Sequence, residues 1–225
     1  MQINEIFSSI DGEGIRTGYL VTFIRTFACN LLCSYCDTLY AVKPETEEDK
    51  LKAYTIMSVN DVVNKCKEYG NHRITFTGGE PLIQKDANEL INALTSQGFE
   101  VNIETNGAVE LESHIDKWEH NENIILTMDW KSPSSGMRNR MIESNLELLN
   151  NRDVLKFVVG SEEDLQDMLN VIITHDLCCN IFVSPVFGNI EGKDIVKFMQ
   201  EHNLQNVRVQ IQLHKYFWPP EMRGV

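Results

Sequence analysis

This sequence lacks long hydrophobic runs, a basic excess and a secretion signal. No stretch of its 225 residues approaches the roughly 18 uninterrupted apolar residues of a membrane span, so we do not expect a membrane protein. Residues 1–10 have neither the basic start nor the apolar run of a signal peptide, so we expect a cytoplasmic protein. Lys and Arg number 20 against 33 Asp and Glu, which gives a formal net charge of −13. Such a surface repels phosphate backbones, and nucleic acid is not an expected partner.

Cysteine is also scarce, with six in the chain, but three of the six are clustered within residues 29–36. In a reducing compartment this clustering indicates metal ligation rather than disulfide bonds. The clustered residues, called the cysteine triplet, are Cys29, Cys33 and Cys36. The others lie in apolar segments, where we interpret them as small buried side chains. They are Cys66, Cys178 and Cys179.

The order of the segments predicts a single α/β domain over residues 1–225. Short, apolar, β-branched runs predict strands at residues 19–26, 73–76, 100–103, 124–128, 154–159, 180–184 and 207–212. Apolar spacing predicts a helix over 82–97, and capping signals predict two more that begin at Ser58 and Ser161. Alternating strands and helices imply a parallel sheet with helices outside, either open or partly closed into a barrel. Ligands then bind at the carboxyl ends of the strands. We interpret the acidic segment 43–52 as a surface excursion.

The cysteine triplet has the spacing C-x3-C-x2-C and directly follows a predicted strand. Three thiolates on one loop can hold three irons of a [4Fe-4S] cluster and leave the fourth iron open to a substrate or cofactor. The alternative is a structural zinc site, which needs a fourth protein ligand. His72, Cys66 or Cys178 would have to supply that ligand.

Tyr35 stands immediately before the last cysteine and completes a C-x3-C-x-aromatic-C pattern. A second motif, Thr-Gly-Gly-Glu-Pro at residues 77–81, connects a predicted strand to a predicted helix. Its glycines let the backbone approach a ligand closely, and Glu80 offers an acceptor for an ammonium group. Together the two motifs resemble the radical S-adenosylmethionine (SAM) superfamily. The resemblance implies a partial (β/α)6-type barrel and a [4Fe-4S] cluster whose open iron binds SAM. When reduced, this cluster splits SAM and releases a 5′-deoxyadenosyl radical.

Further segments carry a closer resemblance. They are Glu-Ile-Phe at 5–7, Asp-Gly-Glu-Gly at 11–14, Phe-Ile-Arg at 23–25, the cysteine loop through Asp37 and Thr38, Gln-Leu-His-Lys at 212–215, Trp218, and residues 223–225. With these segments the chain resembles the 7-carboxy-7-deazaguanine synthase family over nearly its whole length. Members of this family are lyases on the route to queuosine. They convert 6-carboxy-5,6,7,8-tetrahydropterin into 7-carboxy-7-deazaguanine with loss of ammonia.

The resemblance also assigns residues to each ligand, and it assigns none a catalytic role beyond binding. It implies cluster ligation by the cysteine triplet and Mg²⁺ ligation by Thr38. The implied SAM contacts are Tyr35, Cys36, Asp37, Gly78, Gly79, Glu80, Glu104, Asp129, Trp130 and Lys131. The implied pterin contacts are Ile10, Asp11, Gly12, Glu13, Arg25, Thr77 and His214. These types are suitable, because Glu13 can accept from an aminopyrimidinone edge and Arg25 can pair with the substrate carboxylate.

Two other functions fit the cysteine spacing. A glycyl-radical activating enzyme shares it but acts on a protein, and it does not need the Asp-Gly-Glu-Gly turn at residues 11–14. A zinc-stabilised interaction domain would carry out no catalysis. The family resemblance favours the pterin enzyme, and it further implies a homodimer and an electron donor such as flavodoxin or ferredoxin.

Overall fold

Strands from the whole length of the chain meet in one sheet. The computed structural model describes residues 1–44, 46–118, 121–219 and 222–225, and no helix in these ranges is long and apolar enough to cross a membrane. The strands are β1 (Gln2–Ile10), β2 (Leu20–Thr26), β3 (Thr55–Ile56), β4 (Arg73–Gly78), β5 (Glu100–Thr105), β6 (Ile124–Lys131), β7 (Val154–Val159), β8 (Asn180–Pro185) and β9 (Val207–Val209). Their order in the sheet is β3-β1-β2-β4-β5-β6-β7-β8-β9. β2 and β4 to β9 are parallel, whereas β1 pairs antiparallel with β2 and β3.

Helices cover one face of this sheet. The α-helices are α1 (Leu39–Val42), α2 (Glu47–Lys52), α3 (Val59–Tyr69), α4 (Ala87–Ser96), α5 (Glu112–Ile115), α6 (Glu162–Thr174), α7 (Gly192–Glu201) and α8 (His214–Phe217). The predicted caps are confirmed, because Ser58 and Asp61 form a capping box at α3 and the Ser161 hydroxyl accepts from the Asp164 N–H at α6. The apolar faces of α3, α4, α6 and α7 pack against the strands in one buried core.

Side chains of the parallel strands alternate between the helix-covered face and the concave face of the sheet. In β7, Leu155 belongs to the hydrophobic core, whereas Lys156 faces the concave side. In β6, Trp130 belongs to the core, whereas Asp129 and Lys131 face the concave side. This alternation brings charged side chains from neighbouring strands together on one surface.

The segment that follows β1, near one edge of the sheet, approaches the segment that follows β9, the strand at the other edge. The Leu213 N–H donates to the Gly12 carbonyl oxygen at 3.2 Å, and the Gly14 N–H donates to Gln210 Oε1 at 2.7 Å. These hydrogen bonds join the segment after β1 to the segment after β9. The sheet is therefore a partial barrel with helices outside, and the predicted fold class is confirmed.

Several details differ from the predictions. The elements β1, β3, α1, α5, α7 and α8 come in addition to the predicted ones. β1 contains Asn4 and Glu5, which have low strand propensity, and it is held by antiparallel pairing on both sides. The helix predicted over 82–97 begins only at Ala87, because Pro81 starts a separate 3-10 turn. The strand predicted over 207–212 ends at Val209. Segment 43–52 largely forms the exposed helix α2.

The interpretation of the isolated cysteines is correct only for the first of them. Cys66 is fully buried in α3, as expected. Cys178 is exposed and Cys179 is half-buried, so the prediction that both are buried is wrong. Both residues lie directly before β8, on the segment that leads from the surface into the sheet.

Candidate active site

A cavity of about 1130 Å³ lies at the carboxyl ends of the parallel strands, on the concave side of the sheet. The cysteine triplet, the glycine turn after β4 and polar residues from β5, β6 and β7 all line it, together with residues 222–225 at the end of the chain. Every residue that the family resemblance assigns to a ligand lines this cavity, except Glu80 and Trp130.

The cysteine triplet lies on the loop that follows β2. The Cys29 thiol accepts hydrogen bonds from the Leu31 N–H and from the Asn106 side chain, both at 3.4 Å. Burial raises the pKa of the Cys29 and Cys33 thiols. Ligation of a metal would favour the thiolate form of both residues against this effect of burial. Ala28, just before the triplet, has the left-handed φ of 76° that starts the loop.

The outer half of this loop is tied to two distant segments. Ser34 donates from its N–H to the Ser135 carbonyl at 3.0 Å and from its hydroxyl to the Ser134 carbonyl at 2.6 Å. The Tyr35 hydroxyl donates to a backbone carbonyl of β7 at 3.3 Å. Asp164 holds Ser134 in turn, because its buried carboxylate accepts from both the N–H and the hydroxyl of that serine. The loop conformation thus depends on contacts from separate parts of the chain.

The glycine turn after β4 packs against the start of the cysteine loop. A Cβ atom at Gly78, whose φ is 148°, would collide with the backbone of Thr26. A Cβ atom at Gly79 would collide with the backbone of Ala28. Only glycine therefore fits both positions, and the backbone of the turn is left open to the cavity.

Glu80 lies beneath this turn rather than in the cavity. Its fully buried carboxylate accepts from the Asn106 N–H at 2.7 Å, from the Thr105 hydroxyl at 2.9 Å and from the Leu82 N–H at 3.1 Å. Burial raises the pKa of Glu80 to about 7, while these donors act in the opposite direction. Glu80 thus joins the end of β4 to the end of β5. Its contact with the ammonium of SAM stays a prediction.

A charged cluster of five residues lines the cavity: Glu13, Glu104, Asp129, Lys131 and Lys156. Lys156 Nζ lies 3.2 Å from Glu13 Oε2 and 3.0 Å from Asp129 Oδ1. Lys131 Nζ lies 2.7 Å from Asp129 Oδ2. Burial alone would raise the pKa of Asp129, but the two ammonium groups outweigh it and hold that pKa at about 2. Burial raises the pKa of Glu104, against the effect of Lys156.

Glu13 is surrounded by donors. Besides Lys156, its carboxylate accepts from the Ser184 hydroxyl and from the side-chain amides of Gln210 and Gln212, each at 3.3 Å. An ionised carboxylate has about four lone-pair sites, and the contacts with Lys156, Ser184, Gln210 and Gln212 fill them. A ligand with N–H groups that binds Glu13 must therefore take the place of some of the neutral donors.

Arg25 already has an anionic partner within the protein. Its Nε lies 2.8 Å from Oε1 of Glu5, which is its register partner in β1. The Tyr40 hydroxyl donates to the same carboxylate oxygen at 2.8 Å. The sequence predicts the substrate carboxylate as the partner of Arg25. In this geometry a substrate would share the guanidinium with Glu5.

The other predicted pterin contacts lie near the closure of the barrel. The imidazole of His214 lies against Gly12, where a Cβ atom would be 3.2 Å from Nδ1. Burial lowers the pKa of His214, which favours the neutral imidazole. Asp11 is buried, pairs with Arg16 Nε at 2.9 Å and accepts from the Thr75 hydroxyl at 2.8 Å. Asp11 is thus engaged on the protein side of the cavity wall.

Two threonines of the predicted site have hydroxyl contacts within the cavity wall. The Thr77 hydroxyl donates to Glu104 Oε2 at 2.8 Å. Thr38 Oγ1 lies 3.7 Å from Cys36 Sγ, at the start of α1. Over the described parts of the chain, no three His, Cys, Asp or Glu side chains converge as the ligands of a single metal ion do. Ligation of Mg²⁺ by Thr38 stays a prediction.

Trp130 is assigned to SAM by the resemblance, but its side chain is 1% exposed in the hydrophobic core. The alternation along β6 turns it away from its neighbours Asp129 and Lys131, which line the cavity. The same alternation in the β7 sequence Val-Leu-Lys-Phe-Val-Val places Lys156 on the cavity face. Sequence reasoning missed Lys156, although a polar residue inside an apolar strand is the signal that could have found it.

The donor set of the cavity fits a [4Fe-4S] cluster better than a structural zinc ion. The cysteine triplet lines one cavity, as three thiolates around an open-sited cluster require. The candidates for a fourth zinc ligand lie elsewhere: Cys66 is buried in the core, and His72 and Cys178 are exposed outside the cavity lining. None of the three can complete a tetrahedral site with the triplet.

A three-cysteine loop at the carboxyl end of a partial parallel barrel defines the radical SAM class of proteins. The family model of the radical SAM superfamily matches residues 23–172. The chain therefore belongs to this superfamily, whose members use a [4Fe-4S] cluster and SAM. A glycyl-radical activating enzyme would share this class, so the particular family depends on closer relatives.

The curated relatives identify the family. The 7-carboxy-7-deazaguanine synthase of Clostridium acetobutylicum is 42% identical over 227 residues, with 100% of this chain and 99% of that protein covered. The synthase of Leptospira interrogans is 34% identical over 245 residues, with 99% and 97% covered. The crystal structure of QueE from Escherichia coli has a TM-score of 0.70 and 24% identity, covers 94% of this chain and 93% of that one, and supports the fold. The chain belongs to the 7-carboxy-7-deazaguanine synthase family, as its sequence motifs predict.

Proposed function

We propose that this protein converts 6-carboxy-5,6,7,8-tetrahydropterin into 7-carboxy-7-deazaguanine and ammonia, and that residues 1–225 act as one domain. The observation that carries the proposal is the shared cavity: the cysteine triplet lies in one wall, and Glu13, Arg25 and His214 line the same space. The names of the curated relatives support the same reaction.

The cofactors would occupy the side of the cavity formed by the cysteine loop and the glycine turn. When bound, the reduced cluster supplies an electron to SAM, and the resulting radical removes a hydrogen atom from the substrate. The cysteine triplet would hold three irons, and the open backbone of Gly78 and Gly79 would lie along the methionine part of SAM. Lys131, whose half-buried ammonium lies 2.7 Å from Asp129 Oδ2, would contribute a positive charge toward the SAM carboxylate.

The pterin would occupy the side formed by Glu13, Arg25 and His214. Its aminopyrimidinone edge offers N–H donors to Glu13, in place of some of the neutral donors that this carboxylate has in the free protein. Its carboxylate would pair with Arg25 and with an Mg²⁺ ion held by Thr38, because magnesium prefers charged oxygen ligands and keeps several waters. The neutral imidazole of His214 can donate or accept a hydrogen bond without adding charge.

The reaction balances without an external oxidant. The substrate contains all the atoms of the product and ammonia, so the hydrogen atom that is removed must be returned, and SAM is recovered. We further propose that the protein acts as a cytoplasmic homodimer and that a flavodoxin or a ferredoxin reduces its cluster.

The test uses the protein with its cluster reconstituted, together with SAM, a reductant, Mg²⁺ and carboxypterin that is deuterated at the carbon bearing the carboxylate. Mass analysis should find 7-carboxy-7-deazaguanine among the products and deuterium in the recovered SAM. A parallel reaction without reductant controls for exchange. Absence of the deazaguanine would refute the proposed reaction, and product without label in SAM would refute the return of the hydrogen atom.

A further inference from the structure

Lys156 is a buried ammonium that lies between two parts of the cavity. Its residue is 7% exposed, and its Nζ lies within salt-bridge distance of Glu13 on one side and Asp129 on the other. Asp129 is its register partner on the neighbouring strand β6. Glu13 comes from the segment after β1, which reaches Lys156 only because the barrel is partly closed. Lys156 thus connects residues that are assigned to different ligands.

The two lysines of the charged cluster differ in their partners: Lys156 contacts two of the carboxylates, and Lys131 contacts one. The cluster has three carboxylates and two ammonium groups, and within the described ranges Lys131 forms one salt bridge, to Asp129. Lys156 is the ammonium that contacts both Glu13 and Asp129. The remaining donors to Glu13 are neutral groups at 3.3 Å, so Lys156 is the charged donor that orients this carboxylate.

We propose that Lys156 is a positioning residue shared by the two ligands: it orients Glu13 for the pterin and Asp129 for SAM. If Lys156 lost its charge, the three carboxylates of the cluster would be left with one ammonium group, that of Lys131. Like charges in a buried site are unfavourable, so both carboxylates would move apart or take up protons. Each of these changes removes an acceptor that a ligand needs. The inference that the pterin is the ligand at Glu13 rests on the proposed function.

The test measures binding without turnover. SAM and carboxypterin are titrated separately by calorimetry into cluster-loaded protein in the absence of reductant. Lys156→Met should weaken the binding of each ligand by roughly tenfold or more, in line with the loss of one partner of a buried charge pair. The matched control is Ser184→Ala, which removes a donor to Glu13 and leaves Asp129 untouched. This variant should weaken pterin binding alone.

A second variant keeps Lys156 in place in case its replacement prevents folding or cluster loading. Glu13→Gln removes the carboxylate charge that holds Lys156 on one side, so the ammonium is no longer fixed where it orients Asp129 for SAM. We expect SAM binding to weaken about threefold or more, although Glu13 is assigned to the pterin. Melting temperature and iron content verify that each variant is folded and loaded.

The outcomes separate this proposal from the proposed function. SAM affinities equal to wild type in both Lys156→Met and Glu13→Gln would overturn the shared role of Lys156. A wild-type protein that binds SAM and does not bind the carboxypterin would overturn the proposed substrate instead. In that case the SAM titrations of the two variants still decide whether Lys156 couples Glu13 to Asp129.

Discussion

Glu80 offers the sharpest test of whether the Thr-Gly-Gly-Glu-Pro turn at residues 77–81 acts by binding the ligand or by stabilising the fold. At pH 8, above its raised pKa of about 7, the carboxylate is ionised and accepts from three buried donors. Glu80→Ala leaves the N–H groups of Leu82 and Asn106 without a partner. Each unsatisfied buried donor costs about 1–3 kcal/mol, so the free energy of unfolding should fall by about 2–6 kcal/mol. The Thr105 hydroxyl can rotate to another acceptor and adds less.

The glutamine variant has a smaller expected effect. Glu80→Gln keeps one oxygen, which can serve Leu82 and Thr105, but it turns an amide NH2 toward the Asn106 N–H. The cost is one unsatisfied contact, or about 1–3 kcal/mol. The free energies are measured by urea unfolding of the cluster-free protein. Glu89→Gln, an exposed change on α4, is the matched control and should stay within about 0.5 kcal/mol of wild type.

The same variants are then titrated with SAM. If Glu80→Ala unfolds at the same urea concentration as wild type but no longer binds SAM, our account of its position is refuted. Glu80 would then face the ligand, as the sequence motif predicts. A free energy of unfolding that decreases from wild type to Glu80→Gln and again to Glu80→Ala supports a structural role for Glu80 beneath the turn.

Four further predictions follow from the site. Replacing any member of the cysteine triplet by alanine should abolish the cluster, whereas Cys66→Ala should keep it, as iron and sulfide analysis would show; iron loss in the Cys66 variant alone would contradict the ligand assignment. Arg25→Ala should raise the Kd for carboxypterin far more than it slows SAM cleavage without substrate, and an unchanged Kd would make the pair with Glu5 purely structural. Calorimetry should find tighter Mg²⁺ binding when carboxypterin is present, by the same factor by which Mg²⁺ tightens pterin binding, and Thr38→Ala should remove this coupling; equal Mg²⁺ affinity with and without pterin would exclude the shared carboxylate. The folded-state pKa of Asp129 is lowered from 3.8 to about 2, so its contribution of about 2 kcal/mol to the free energy of unfolding is present above pH 4 and is lost as the pH falls toward 2. Unfolding curves of wild type and Asp129→Asn measure this contribution, and a constant difference between them over that pH range would disprove it.

The sequence predicts those parts of the molecule whose signal is local. β7 is predicted with its bounds intact because five of its six residues are apolar, and such a run has few alternatives to a buried strand. The caps at Ser58 and Ser161 are predicted because a cap is decided within four residues. The cysteine triplet is likewise a local pattern, and its three members do line one cavity.

The parts that escape prediction depend on partners far away in the sequence. Glu5 pairs with Arg25 only because β1 runs antiparallel beside β2, and the residues around Glu5 do not predict that pairing. Lys156 meets Glu13 across 143 positions of chain. Trp130 shows a second limit, because a motif identifies residues but does not say on which face of the strand each side chain lies.

The ties of the outer cysteine loop have a consequence for how the protein is made. Ser34 bonds to a residue 100 positions further along, and Tyr35 to one 123 positions further. During synthesis the three thiols therefore leave the ribosome long before the segments that shape their loop exist. Contacts of such sequence separation form late in folding, because a long loop must close first. Iron and sulfide that reach a half-made chain would meet three unconstrained thiols rather than a site. The loop can therefore take up the conformation of the folded protein only once β6, β7 and the start of α6 have been made.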